Sequence, residues 1–345
     1  MDRWVKRRRF PTIGLDIGST SVKTVLVKPQ VGRSKLNAAR AIPLALPADS
    51  GQRAEAVRQA LRGFPLEEAD VVVGIGGAGT VLRALSLPKM SLQELKGALN
   101  YEAEKYIPFK LEEVFLDFAI TGQGTAGQME VMLAVARKEV VEEQLEILSA
   151  AGTGAAAVDL ETLALANAWE SVFSPGAPSA PEADAAALLY VGARKTIAGF
   201  FLNSRLQFAR EIPLAGDAFT QAIAGALQLD VLEPERIKCD PRDRLEKIRE
   251  AARSSWEEWL GECRRSFDFY ENQYGHRVGR LVLSGGSAQF SGFREWVQEA
   301  TSLPTEEWNP VASGPKPEGG QPIGAGGLAL GVAFGLAIRG GERCR

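Results

Sequence analysis

Asp16 ends an apolar run, and the next seven residues read Ile-Gly-Ser-Thr-Ser-Val-Lys, closing at Lys23. Aspartate and glycine are poor strand-interior residues, so the break marks a turn with a task. Gly18 lets backbone approach an anion closely. Successive N–H groups form a donor nest, the hydroxyls of Ser19 and Thr20 add to it, and Lys23 brings a positive charge. That chemistry suits phosphate. Asp16 adds a hard oxygen that can hold Mg2+ through water. Read alone, the stretch makes an ordinary hairpin turn equally well, and no GxxxxGK[ST] loop occurs in the chain.

Other stretches carry weaker versions of the same chemistry. "AAALLYVGARKTIAGFF", 185–201, repeats strand, glycine turn and strand, with Gly192 and Ala193 in the turn. "LSGGSAQFSGF" brings Gly285, Gly286 and Ser287 to a second place where backbone can lie flat against a ligand. "PERIK" offers Glu235 for ribose hydroxyls and Lys238 for an adenine face. Each of these alone is a weak signal, the Gly-Gly turn and "PERIK" reading more readily as a plain turn and a solvated helix surface, and only their order makes them specific. The single histidine, His276, has no partner at catalytic spacing, and Glu102 and Glu104 are assigned no chemistry.

The elements that must position these residues alternate between strand and helix. A strand over 13–16 pairs with one over 21–27, a short helix covers 54–61, and "DVVVGIGG" is a buried strand. Ser91 and Glu94 form a capping box, with Met90 and Leu95 as the staple of a helix that Pro108 stops. "EVMLAVARKE" leads a strand into a helix over 139–151, and "DLETLALANAWE" is helical. The Pro/Ala/Ser stretch 174–184 is the best domain boundary. Charged helices occupy 241–274, a strand covers 281–283, and a helix carries Phe293 and Trp296. The apolar, glycine-rich run 323–338 closes the chain as a buried helix.

The chain has 345 residues, 45% of them hydrophobic, which is enough for two cores. A formal net charge of −3 argues against a broad nucleic-acid surface. Cys239, Cys263 and Cys344 lack metal-ligand spacing, which suits a reducing cytoplasm and no zinc. No secretory signal follows "MDRWVKRRRF", which reads as a solvated basic tail, and no apolar run reaches spanning length.

Together the glycine hairpin, its repeat, "PERIK" and "LSGGSAQFSGF" resemble the actin-like ATPase superfamily. "LPKMSLQELKGALNYEAEKYIPF", "REIPLAGDAFTQAIA" and "RRSFDFYENQYG" narrow this to the type IV pilus assembly PilM family, a relative of the division protein FtsA. The resemblance covers about 13–339, nearly the whole chain. It implies an α/β fold of two duplicated domains around a nucleotide cleft. The first domain would take 10–83 with 325–340, an FtsA-like insertion 84–158, a connecting helix and linker 159–184, and the second domain 185–324. It further implies ATP and Mg2+ in the cleft, and a groove beside the insertion for the cytoplasmic tail of a PilN-like inner-membrane protein. The protein would be a cytoplasmic scaffold held peripherally at that membrane through its partner. The pilus motor or platform proteins and a second copy are further partners left open.

Carried onto this sequence, Asp16, Gly18, Ser19, Thr20 and Lys23 match the first phosphate motif, and Gly192 and Ala193 the second. Glu235 and Lys238 match the ribose and adenine contacts, and Gly285, Gly286 and Ser287 the adenosine motif. Glu161 falls where the connecting helix faces the γ-phosphate, the catalytic position. One departure matters. The second motif ordinarily begins with aspartate, and here Tyr190 stands in its place, so hydrolysis is expected to be slow or absent. Two rival readings are a small-molecule kinase, which lacks a well-placed carboxylate base, and an FtsA-like filament former. The second is disfavoured because "LAIRGGERCR" offers no amphipathic membrane helix.

Overall fold

The computed structural model describes residues 10–30, 33–45, 47–123, 127–173, 184–229, 238, 244–312 and 325–339. Strand β1 (Thr12–Ile17) is buried along its whole length, as an apolar run covered on both faces requires. It pairs antiparallel with β2 (Ser21–Gln30), which pairs antiparallel with β3 (Arg33–Pro43). On its other side lies β4 (Asp70–Ile75), parallel, and then β8 (Ala157–Leu160), also parallel. The first sheet therefore runs β3-β2-β1-β4-β8.

The second half repeats this strand for strand. Its strands are β9 (Ala185–Val191), β10 (Thr196–Leu202), β11 (Arg205–Ile212), β12 (Val278–Ser284) and β13 (Thr305–Glu307). They stand in the order β11-β10-β9-β12-β13, with the same parallel and antiparallel pairings. The repeat expected from two glycine turns is thus a duplication of the whole sheet.

A third sheet of β5 (Thr80–Pro88), β6 (Val114–Gln123) and β7 (Gln128–Arg137), in the order β5-β7-β6, is inserted between β4 and β8. Helix α2 (Leu92–Glu102) covers it, burying Leu95 and Leu99 against Val131, Leu133 and Val135. Ser91 and Glu94 form the capping box expected of them. Helix α1 (Ser50–Leu61) and α3 (Lys138–Ala150) pack on the first sheet, with Val57, Ile147 and Leu148 in one core with Ile13 and Leu15. By packing, α3 and β8 go with the first sheet, although α3 and the first two residues of β8 lie within the span 84–158 read as the insertion. In the second half, α5 (Gly216–Leu227), α6 (Leu245–Tyr274) and α7 (Phe293–Thr301) build an aromatic core of Phe219, Trp256, Trp259 and Phe293.

Between the sheets lie α4 (Glu161–Val172) and α8 (Gly331–Arg339), in a core that draws Val25 and Val72 from the first sheet and Leu188 and Tyr190 from the second. These elements approach to backbone contact. A Cβ at Gly335 would lie 1.7 Å from the carbonyl oxygen of Ala164, and one at Gly14 would lie 1.9 Å from that of Ala333.

Several elements depart from the sequence reading. Strands β3, β5, β6 and β11 were unassigned, because half-exposed strands dilute the apolar signal. Helix α1 starts at Ser50, four residues early, because Asp49 caps it. Helix α2 ends at Glu102 in a 3-10 turn, short of Pro108. Asp159 belongs to β8 and not to the helix that follows. The charged region is one 30-residue helix from Leu245, and the closing run is a 3-10 turn before α8. The basic tail, the linker up to 183, Cys239 and Cys344 lie outside the described residues.

The close approach is testable. Gly335→Ala should cost about 3 kcal/mol or more in chemical denaturation, because the clashing partner is backbone and cannot swing away. Gly225→Ala, on α5 with open space around it, should instead stabilise by about 0.5–1 kcal/mol. Equal effects of the two substitutions would contradict the packing described.

Candidate functional site

The two hairpins that face each other across the cleft match residue by residue in their pairing register. In the first, Asp16 stands opposite Lys23 and the Gly18 N–H donates to the Ser21 carbonyl at 3.0 Å. In the second, Tyr190 stands opposite Ile197 and the Gly192 N–H donates to the Lys195 carbonyl, also at 3.0 Å. In each hairpin four residues separate the last pair, Ile17–Val22 or Val191–Thr196, so Gly192 answers Gly18 and Lys195 answers Ser21.

The second loop is fixed from behind. Its Gly192 carbonyl accepts from the Gly216 N–H at 3.2 Å and from Ser287 Oγ at 2.6 Å, and its Ala193 carbonyl accepts from the Asp217 N–H at 2.7 Å. These carbonyls satisfy orphan donors at the start of α5. In a trans peptide the N–H points opposite to the carbonyl. The N–H groups of Ala193 and Arg194 therefore face away from α5, on the cleft side. Gly285 sits at φ +94°, where a Cβ would lie 2.3 Å from the Val191 carbonyl oxygen, so only glycine brings that turn so close to β9.

Between the loops lies a cavity of about 470 Å³, lined by Asp16, Gly18, Ser19, Thr20, Lys23, Glu161, Tyr190, Gly192, Ala193, Lys195 and Gly286, with Gly74 to Gly77 on the first-domain wall. The structure thus brings together most of the residues expected to bind a ligand. Gly285 and Ser287 stand behind the wall and support it. Lys238 is buried, and its ammonium donates to Thr220 Oγ1 at 2.7 Å and the Gly216 carbonyl at 3.4 Å, bracing α5. Glu235 lies outside the described residues.

Lys23, Arg194 and Lys195 bring positive charge to the cavity, and the two lysines are held by carboxylates within it. Lys23 Nζ lies 3.1 Å from Asp16 Oδ2, both side chains buried, and a Cβ at Gly18 would press on that ammonium at 3.0 Å. Lys195 Nζ bridges Glu161 Oε2 at 2.8 Å and Glu211 Oε1 at 3.0 Å. Glu211 Oε2 in turn accepts the Gly77 N–H at 2.7 Å. This chain crosses the cleft from Gly77 and Glu161 on one side to Lys195 and Glu211 on the other. Burial pushes the Glu161 carboxyl up, with Lys195 opposing. Burial, with Asp16 and Glu161 nearby, pushes the Tyr190 phenol well above its usual range, and its hydroxyl donates to the Ala329 carbonyl at 2.8 Å.

Sequence reasoning missed Lys195, Glu211 and Gly76. Superposing the two loops would have found Lys195, since it takes the place of Ser21. Glu211 sits in the half-exposed β11, where nothing local distinguishes it. Among the described residues no three His, Cys, Asp or Glu side chains gather as a metal-holding group.

Two duplicated sheets, an insertion and a cleft between matched glycine hairpins define an actin-like ATPase fold. Solved structures bear this out: EutJ, an ethanolamine utilization protein from Carboxydothermus hydrogenoformans, is 16% identical with a TM-score of 0.57 over 96% of this chain and 90% of that one. MreB5 of Spiroplasma citri bound to ADP is 12% identical, with a TM-score of 0.51 over 95% of each chain. Much closer is a PilM-PilN type IV pilus biogenesis complex, 28% identical with a TM-score of 0.84 over 97% of this chain and 100% of that chain. The family model for the type IV pilus assembly protein PilM matches residues 14–341, and the chain belongs to that family. Among the described residues no helix is long and apolar enough to cross a membrane.

The cross-cleft ion pairs give a pH signature. Burial pulls the Lys195 ammonium down, but Glu161 and Glu211 more than offset this and hold it above the ordinary 10.5. A folded-state value above the unfolded one gives stability that is complete below the unfolded value and is lost as pH rises through the folded one. The gap in Tm between the wild-type protein and Lys195→Met should therefore hold steady from about pH 7 to about pH 10 and narrow above. A gap that instead closes between about pH 5 and 8 would mean that another group controls it.

Proposed function

We propose that this protein is an ATP-binding scaffold of type IV pilus assembly that docks the cytoplasmic tail of a PilN-like inner-membrane protein. In this reading it is cytoplasmic and reaches the membrane through that partner. The observation that carries the nucleotide half is the pair of matched hairpin loops across one cleft. Gly18 to Thr20 on one side, and the free-facing N–H groups of Ala193 and Arg194 on the other, make two opposed donor nests for a phosphate chain. Lys23 neutralises charge from the first loop, and Gly286, with open space where a Cβ would be, leaves room for adenosine.

For Mg2+ the residues supply little. Asp16 is held by Lys23, Glu161 by Lys195, and the Tyr190 hydroxyl donates a hydrogen bond to a backbone carbonyl. Mg2+ takes one or two carboxylates plus substrate phosphates, and Asp16 acting through water is the one group that meets this description. When bound, the cation would neutralise phosphate charge. Glu161, the candidate for orienting a nucleophile, is tied to an ammonium, which suits binding more than turnover.

The peptide half is supported by a groove of about 680 Å³ beside the insertion. One of its walls is the free edge of β6, with Phe115, Asp117 and Ala119; Leu163 and Asn167 of α4 form another. An extended tail can add to such an edge through main-chain hydrogen bonds. Asp159 and Arg339, paired at 2.9 Å, provide a charged floor.

Two measurements test the reading. ATP should bind with micromolar affinity, and steady-state phosphate release should stay near background; turnover matching that of active ATPases, abolished by Asp16→Ala, would overturn the scaffold view. Ala119→Trp, at an exposed position of the groove, should weaken binding of a PilN-type tail peptide about tenfold or more while sparing ATP. An unchanged peptide affinity would place the docking surface elsewhere.

A further inference from the structure

We propose that Lys195 is the residue by which the cleft distinguishes a nucleoside triphosphate from a diphosphate, exchanging its two carboxylate partners for the terminal phosphate. This rests on the nucleotide reading above and deepens it.

The hairpin duplication supplies the first argument. In the first loop the lysine lies on the strand, at Lys23, opposite Asp16. The second hairpin has neither member of that pair, Tyr190 and Ile197 standing at the equivalent places. Its loop carries Arg194, which faces Asp217, and Lys195, which reaches Glu161 and Glu211 and answers Ser21. From there the side chain leaves the second-domain wall and reaches the first-domain wall, where its Nζ would lie only 2.2 Å from a Cβ at Gly76. The ammonium therefore lies across the gap that the phosphate chain would enter, between the loops and Glu161.

Its partners supply the second argument. Glu161 and Glu211 are both partly buried, and each depends on this one ammonium for compensation. A phosphate arriving between the loops competes with them for the same donor, because an ammonium has three N–H groups and accepts a new anion readily. On this proposal a diphosphate leaves the Glu161–Lys195–Glu211 bridge in place, and the charge of the added terminal phosphate is what competes for the ammonium. When Lys195 turns to the phosphate, Glu211 loses its counter-charge, and its bond to the Gly77 N–H is the last link of the clasp.

The third argument is position. Lys195 and Glu211 also line a neighbouring cavity of about 650 Å³, whose other walls are Thr80 to Arg83 of β5 and Arg265 of α6. One side chain thus forms part of the partition between the cleft and the inserted sheet. A change of partner at Lys195 is therefore felt on the side of the molecule that carries the insertion.

Titration calorimetry of the full chain with ATP and with ADP, at fixed magnesium, tests this directly. The wild-type protein should prefer ATP about tenfold, and Lys195→Met should bring the ratio to about one by weakening ATP alone, as loss of a charge-assisted bond requires. Glu211→Gln, which keeps an acceptor for Gly77, should tighten ATP about threefold by loosening the competing bridge. Hydrogen exchange at the Gly77 amide should quicken with ATP and not with ADP. If the wild-type protein binds both nucleotides without preference, or Lys195→Met leaves the preference intact, the proposal falls and the cleft reading stands. If it binds neither nucleotide, both fall.

Discussion

Everything in the cleft depends on the backbone contact between α4 and α8. Those helices are the shared floor of two sheets, and they meet where Gly335 lies against the Ala164 carbonyl. Gly14 extends the contact to β1, and Gly331 lets α8 approach Leu165 and the Tyr190 ring. Interiors are packed to crystal-like density, so a contact without side chains fixes the distance between elements more tightly than one between long side chains. This sets where the first residue of α4, Glu161, emerges into the cleft. The aromatic pair Trp169 and Phe201, stacked at 4.5 Å, anchors the other end of α4 to the second sheet. A carboxylate aimed at the gap is thus a consequence of helix packing, not of local sequence.

That geometry also decides the electrostatics. A carboxylate delivered to a half-buried gap needs compensation, since an unpaired buried charge costs several kcal/mol. Lys195 provides it from the opposite domain. The pair need not add net stability, because desolvation offsets most of the Coulomb attraction. What it does provide is orientation: the two halves satisfy each other only in the arrangement where Glu161, Lys195, Glu211 and Gly77 line up.

The sequence carried the site better than the insertion. Gly18 with Asp16 and Lys23 was visible because a glycine turn inside a buried strand conflicts with strand chemistry, and conflicts of that kind point to function. The echo at Gly192 was visible by its pattern alone, and the sheet duplication followed from it. The inserted sheet was only half legible. Its β7 alternates clearly, but β5 buries only Leu85 outright and β6 exposes Phe115 and Ile120, so neither period stands out. Motif order offers Lys238 for an adenine face, and the structure adds that its ammonium braces the start of α5 through Thr220. Motif order cannot tell which way a side chain turns. Glu211 was invisible for a different reason, since its role depends on a partner 134 positions away at Gly77.

Tyr190 acquires its meaning from the same duplication. An ion pair across a hairpin can be replaced by apolar residues at little or no cost, provided both members go together. Where the first hairpin has Asp16 opposite Lys23, the second has Tyr190 opposite Ile197, and both of these join the core between the sheets. The second strand end thus serves as core, with its phenol tied off on Ala329. The Tyr190 ring lies beside Gly331 at the start of α8, so the strand end that faces the cleft also ties the second sheet to that helix.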